Sequence, residues 1–440
     1  MPSQLIEARW IVPVEPEGTV LEHHAVALQD GRIEALLPAQ EARRLFPSHE
    51  VTRLANHLLI PGLVNAHTHA AMALMRGLAD DLPLMRWLED HVWPAEAKHV
   101  SPEFVHDGAL LACAEMLRGG VTCFNDMYFF PGSSVAAALE AGMRSVHGVI
   151  VIEFPSAYAS DAADYLGKGL ELRDRYRDEP LVSFTLAPHA PYTVSDASFR
   201  RVATLAAELD APVHVHLHET AGEIERSLAE HGLRPIERLR RLGLLGPGLS
   251  AAHCVHLLDE EVELLARHGC SVVHCPSSNL KLASGFAPTA KLLGAGVNVA
   301  LGTDGAASNN RLDLLQEARS AALLAKAVSG DARAMPAAAA LHAATLAGAR
   351  ALGLGKITGS ILPGKAADLA AVDLGALELS PCYDPVSQLI YAAGREHVSH
   401  VWVAGRLQVC GGRLQNSVFS ALDTRKDLWQ NVLKSHAVDS

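Results

Sequence analysis

The chain has 440 residues, 49% hydrophobic and 20% charged, an ordinary globular composition with length enough for a large core and more than one domain. Its formal net charge is -12 and no basic tract stands out, which argues against nucleic acid or an anionic membrane surface as a partner. The seven cysteines are scattered, without a Cys-x-x-Cys pair, and no apolar run is long enough to span a bilayer, so reduced thiols and a cytoplasmic location are expected.

Up to about residue 59 the chain alternates short apolar runs with turns, such as Ala25-Val26-Ala27-Leu28 ahead of Asp30-Gly31-Arg32-Ile33, the pattern of strands and hairpins. The texture then changes to apolar runs separated by helical periods. Strands are predicted at 59–65, 121–125, 144–151, 182–187, 212–217, 249–252, 271–274 and 298–301, and long helices at 102–118, 196–209, 259–268 and 311–327. Eight such strands over about 300 residues predict a closed (β/α)8 barrel of the TIM type. A doubly wound open sheet is disfavoured, because no Gly-x-Gly-x-x-Gly turn and no phosphate loop follows a strand. The alanine-rich stretch 337–351 predicts closely packed helices. Strand texture returns at Ala367-Asp368-Leu369-Ala370-Ala371-Val372 and His400-Val401-Trp402-Val403-Ala404-Gly405. The expected organisation is therefore α/β: residues 1–59 and 359–422 form one small composite β-sandwich domain from both chain ends, 60–358 form the barrel, and 423–440 form a terminal helix or tail.

Barrel enzymes keep their chemistry at the C-terminal ends of the strands. Here those ends carry His67-Thr68-His69, then Pro188-His189-Ala190-Pro191-Tyr192, then Val213-His214-Val215-His216-Leu217-His218-Glu219, then His253-Cys254-Val255-His256, and last Gly302-Thr303-Asp304-Gly305. His67 and His69 share one side of an extended backbone, as two corners of a metal polyhedron require. His214, His216 and His218 share one parity, so alternation does not choose among them. Taken singly, His216 reads equally as a core histidine, and Asp304 as the cap of the helix that follows.

Together these segments, with Pro61-Gly62-Leu63-Val64-Asn65-Ala66 before the first pair and the late Leu362-Pro363-Gly364-Lys365-Ala366-Ala367-Asp368-Leu369, resemble the amidohydrolase superfamily over nearly the whole chain. The likeness is to its mononuclear-metal branch of cytosine/adenine deaminases and triazine hydrolases. The resemblance implies one divalent metal ion held by His67, His69, His216 and Asp304, zinc being expected and iron(II) the alternative. No lysine ends the fourth strand, so a second, lysine-bridged metal is not expected. The resemblance further implies that Asp304 takes a proton from the attacking water, that His253 orients that water, and that Glu219 carries protons to the substrate.

The segment from Met75 through Trp87-Leu88 to Trp93-Pro94-Ala95-Glu96 resembles the long first loop of methylthioadenosine/S-adenosylhomocysteine deaminases. That likeness implies that Glu96 binds the ribose hydroxyls, that His189 meets the purine edge, and that Trp93, with Trp87 and Leu88, walls the 5′ group. One departure stands out: no arginine follows His147 where a carboxylate clamp would sit, so 5′-methylthioadenosine is expected to be preferred over S-adenosylhomocysteine. The alternatives are a guanine or oxidised-purine deaminase, a chlorotriazine hydrolase, or a silent barrel kept for binding. A homo-oligomer is expected. The sequence leaves open the roles of His147, His218, His256, Asn279 and Asn309.

Overall fold

The first strands, β1 (Gln4–Ile11), β2 (Leu21–Gln29) and β3 (Arg32–Pro38), pair as antiparallel neighbours, and β4 (Glu50–Pro61) lies parallel to β1. The computed structural model describes residues 3–437. After β4 come β5 (Leu63–Thr68), β6 (Val121–Asp126), β7 (Arg144–Val151), β8 (Val182–Pro188), β9 (Val213–Leu217), β10 (Leu249–His253), β11 (Ser271–His274) and β12 (Asn298–Leu301). These eight lie parallel in chain order with helices between them, the barrel expected from the sequence. The chain then returns to its start. β13 (Leu369–Asp373) pairs antiparallel with β4, Ala370 opposite Ile60, and is followed by β14 (Val398–Val403), β15 (Arg406–Cys410) and β16 (Arg413–Leu414).

Both chain ends thus join in one eight-stranded mixed sheet of order β16-β15-β14-β13-β4-β1-β2-β3. Ile6, Val26 and Ile33 from one half share an apolar cluster with Leu369, Ala371 and Trp402 from the other. The sheet therefore folds over on itself, a sandwich built from one hydrogen-bonded sheet rather than two.

The first barrel strand differs from expectation. The run Leu58-Leu59-Ile60-Pro61-Gly62-Leu63-Val64 reads as a single strand because both of its halves are buried, yet β4 ends at Pro61 and β5 starts at Leu63. Gly62 is the joint: a Cβ there would lie 2.1 Å from Thr122 Oγ1. The helices Pro102–Arg118, Asp196–Leu209 and Asp259–His268 fall where the periodicity put them, the first two opened by Ser101 and Ser195, whose hydroxyls accept from Phe104 N and Ser198 N. The fourth helix starts later than expected, at Leu314, because Asp313 caps it by accepting from Gln316 N, and it ends at Ser329 before the left-handed Gly330. The alanine-rich stretch forms two short helices, Ala337–Ala343 and Leu346–Ala351.

The seam between β12 and β5 is closed by side chains. Asn65 donates to Thr303 Oγ1 at 2.8 Å and accepts from Thr303 N at 2.9 Å, while Asp304 N donates to the His67 carbonyl at 3.0 Å. Barrel and end domain are joined by a buried ion pair, Arg144 Nε to Asp368 Oδ2 at 2.7 Å. Among the described residues no helix is long and apolar enough to cross a membrane.

Candidate active site

Four strand ends bring His67, His69, His216, His253 and Asp304 together at one rim of the barrel. Asp304 Oδ1 lies 3.3 Å from His67 Nε2 and 3.2 Å from His69 Nε2. Donor atoms of His67, His216, His253 and Asp304 all fall within 4.8 Å of one another. The rings of His69 and His216 stand at 83° to that of His67 and lie 20° from parallel to each other, so His67 approaches across the stacked pair.

The far nitrogen of each ring is already committed. His69 Nδ1 donates to the Met127 carbonyl at 2.6 Å, His216 Nδ1 to the His189 carbonyl at 2.8 Å, and His253 Nδ1 to Asn279 Oδ1 at 2.8 Å. A carbonyl oxygen can only accept, so the Nε2 lone pairs of these rings are left to face the cluster. His67 Nε2 is buried without a hydrogen-bond partner. Burial holds His67 near 4 and His216 well below the usual imidazole range, which keeps both rings neutral and able to donate a lone pair. Burial also works against charge on His69, but Asp304 and the Met127 carbonyl raise it to about 9. Burial alone would raise Asp304, yet His67 and His69 hold it well below the usual carboxylate range. Two neutral imidazoles, a third in His69 once it gives up its proton, and an ionised carboxylate form a donor set that suits a divalent cation.

Strand β9 separates the three histidines that parity could not. His216 faces the cluster. His214 lies behind it, its Nε2 2.8 Å from His67 Nδ1 and its Nδ1 2.7 Å from Ser250 Oγ. His218 takes φ +55, which breaks the alternation and turns its ring toward Ile236 N and the His256 carbonyl. Glu219 follows, buried, its Oε2 3.9 Å from His253 Nε2. Burial raises its pKa, partly offset by His253. The turn is held by Glu223, whose carboxylate accepts from His218 N at 3.0 Å and Glu219 N at 2.8 Å. Thr220, not Glu219, caps the next helix, Ala221–His231.

Above the cluster lies a cavity of about 670 Å³ whose wall includes His69, His216, Glu219, His253, Asp304, Glu96, Trp93 and His189. Glu96 and Trp93 come from the first loop. Tyr128 donates to Glu96 Oε1 at 2.7 Å, and burial pushes the Glu96 carboxyl up to about 7. Much of the cavity wall is aromatic: Trp87, Trp93, Phe129, Phe130, Phe154 and Tyr158. No lysine or arginine is among the lining residues described. His189 sits beside His216, ring centroids 4.8 Å apart, with its Nδ1 3.0 Å from Thr193 Oγ1.

Other residues singled out from sequence have supporting positions. Asn279 holds His253; Asn309 donates to the Thr303 carbonyl and to Glu317; His256 donates to the Ser284 carbonyl; His147 is buried beside Ser145. Ser278 and Ser308, which both donate to Asp304 Oδ2 at 2.7 and 2.9 Å, were not foreseen, nor were Tyr128 and Glu223. Asn279, in the helix Pro276–Lys281 that directly follows a strand, carried some signal; a serine or tyrosine does not.

Residues 58–408 match the amidohydrolase family. The 5-methylthioadenosine/S-adenosylhomocysteine deaminase of Saccharophagus degradans is 46% identical over 426 residues, covering 97% of this chain and 96% of its own. Its namesake from Teredinibacter turnerae is 49% identical over 403 residues, covering 91% and 90%. The crystal structure of an adenosine deaminase from Xanthomonas campestris, with bound zinc, superposes at a TM-score of 0.96 with 52% identity over 99% of both chains.

Proposed function

The chain belongs to the amidohydrolase family, and from that premise we propose that it is a metal-dependent hydrolytic deaminase of 5′-modified adenosines, with 5′-methylthioadenosine preferred. The observation that carries this reading is the convergence of His67, His69 and His216 on Asp304 beneath a largely apolar cavity whose wall also carries a carboxylate, Glu96.

We assign His67, His69, His216 and Asp304 as the ligands of one zinc ion. The partnerless Nε2 of His67 and the committed Nδ1 atoms of His69 and His216 support that assignment. His253, not His69, belongs to the donor group within 4.8 Å, but its Nε2 also faces Glu219, which favours a place beside the attacking water, while His69 Nε2 lies 3.2 Å from Asp304 Oδ1. A zinc ion bound there supplies Lewis acidity that makes water a usable nucleophile near neutral pH. Asp304 accepts the water proton, its carboxylate fixed by Ser278 and Ser308 at Oδ2 and by Gly305 N at Oδ1. His253, with Nδ1–H fixed on Asn279, presents Nε2 as the acceptor that orients the water. Glu219, whose pKa is raised by burial, carries a proton and gives it to a ring nitrogen of the purine, which makes the adjacent carbon electrophilic. The water oxygen bonds to that carbon, the proton taken up by Asp304 passes to the amine, which leaves as ammonia as the carbon–amine bond breaks, and the remaining hydroxyl proton returns to Glu219 as the carbonyl forms. Glu96 has one oxygen engaged by Tyr128 and the other free to accept from ribose hydroxyls.

The preference among 5′ groups rests on the chamber wall. The amino-acid tail of S-adenosylhomocysteine would bring a carboxylate against aromatic rings with no lysine or arginine lining the cavity. A methylthio group suits that wall. Zinc-loaded protein is expected to release ammonia from 5′-methylthioadenosine with kcat/KM about tenfold or more above that for S-adenosylhomocysteine. Equal efficiencies would remove the preference. No ammonia from any purine, or chloride from a chlorotriazine instead, would remove the function.

A further inference from the structure

The segment 84–99, which carries Trp87, Trp93 and Glu96, is weakly built. It consists of one helical turn, Leu84–Trp87, a π-helical turn, Leu88–Val92, and a last short helix, Trp93–His99. The three follow one another without a break, and the start of the run, at Pro83, has no side-chain cap. Such a segment takes its position from what packs behind it.

What packs behind it is the helix Leu422–Ala437, at the far end of the chain. Arg425, Trp429 and Leu433 are four residues apart and share one face. Asp107, buried on helix Pro102–Arg118, accepts from Arg425 Nη1 at 2.6 Å and from Trp429 Nε1 at 3.0 Å. Trp429 meets Phe104 edge-on, centroids 5.1 Å apart. Leu433, only 4% exposed, lies in the same apolar cluster as Leu84, Trp87 and Val92, which themselves line the cavity. The terminal helix is thus one layer behind the substrate chamber and pinned at a fixed depth by a buried carboxylate.

We propose that the helix Leu422–Ala437 is a working part of nucleoside binding: through Trp429 and Leu433 it holds the 84–99 segment, and with it Glu96, in its place in the cavity wall. Trp429 and Leu433 are positioning residues; neither lines the chamber. The inference rests on the reading of the chamber as a nucleoside site.

The test is a KM-against-kcat split on the full chain loaded with zinc. Leu433→Ala opens a gap in the apolar cluster it shares with Leu84, Trp87 and Ala95, so KM for 5′-methylthioadenosine is expected to rise about tenfold, with kcat within about twofold and zinc content unchanged. Leu433→Met, which restores volume, is expected to recover most of that loss. Leu428→Ala, on the same helix but 55% exposed, is expected to leave KM where it was. Should Leu433→Ala fail to fold, Leu433→Val carries the same comparison with a smaller gap. Titration with the product, 5′-methylthioinosine, reads the same loss without turnover. An unmoved KM, a fall in kcat and zinc content together, or an equal effect from Leu428→Ala would overturn the inference. Wild-type protein that releases no ammonia would instead overturn the nucleoside reading itself.

Discussion

His214 and His216 differ by two positions on one strand, yet one faces the cluster and the other fixes a partner's proton. Ser250 donates to the Val213 carbonyl at 3.3 Å, so its oxygen accepts from His214 Nδ1–H; His214 Nε2 then accepts from His67 Nδ1–H. A backbone carbonyl thereby dictates the tautomer of His67 two side chains away and leaves its Nε2 lone pair pointing into the site. Glu219 is set by similar means, its turn tied to the Glu223 carboxylate. Glu219→Gln keeps the shape and removes the transferable proton. It is expected to lower kcat by about 10²–10⁴-fold at unchanged zinc content, read by ammonia release and metal analysis. Full turnover would take Glu219 out of the mechanism. The histidines and Asp304 stood out in the sequence because each ends a strand that apolar runs already mark. Tyr128, Ser278, Ser308 and Glu223 did not, because their roles exist only across the barrel: Tyr128 and Glu96 are 32 positions apart and meet through a single hydrogen bond.

The barrel strands could be read from the sequence because each is a short buried run bounded by a helix, and burial on both faces leaves no other pattern. The same reasoning failed at residues 58–64, where two sheets share one apolar run and hydrophobicity carries no mark of the change. Gly62 is the mark. Its would-be Cβ falls 2.1 Å from Thr122 Oγ1 and 2.3 Å from Thr122 Cγ2, inside a buried contact with β6. Gly62→Ala is expected to cost about 1–3 kcal/mol of stability, seen as a lowered thermal midpoint, and Thr122→Ala in the same chain should recover part of it. A midpoint unchanged in Gly62→Ala would show that the joint can open. The late start of the helix Leu314–Ser329 has a local cause that periodicity does not weigh, the cap made by Asp313.

At the scale of the molecule, barrel and end domain are held together by several polar contacts, among them Arg319 to the Ile390 carbonyl, Arg395 to Glu115 and Gln408 to the Gly142 carbonyl, and Asp368 centres the buried ion pair. Asp368, its side chain fully buried, accepts from Arg144 on the barrel and from Ala404 N in the end domain, while its backbone carbonyl accepts from Gly62 N at the joint. Arg144→Met strands a buried carboxylate, and a loss of about 3–5 kcal/mol at neutral pH is expected in chemical denaturation. A loss well under about 1 kcal/mol would show that the carboxylate finds water or a proton without strain. The topology has a further consequence for how the chain is made. Strand β4 must wait for β13 to cover its edge, and roughly 300 residues separate them. At about 5–20 residues per second, a ribosome leaves that edge bare for on the order of fifteen seconds to a minute. During that interval the newborn amino-terminal strands are the part of the chain most open to mispairing with a neighbouring nascent copy, and the part a chaperone would be expected to shield.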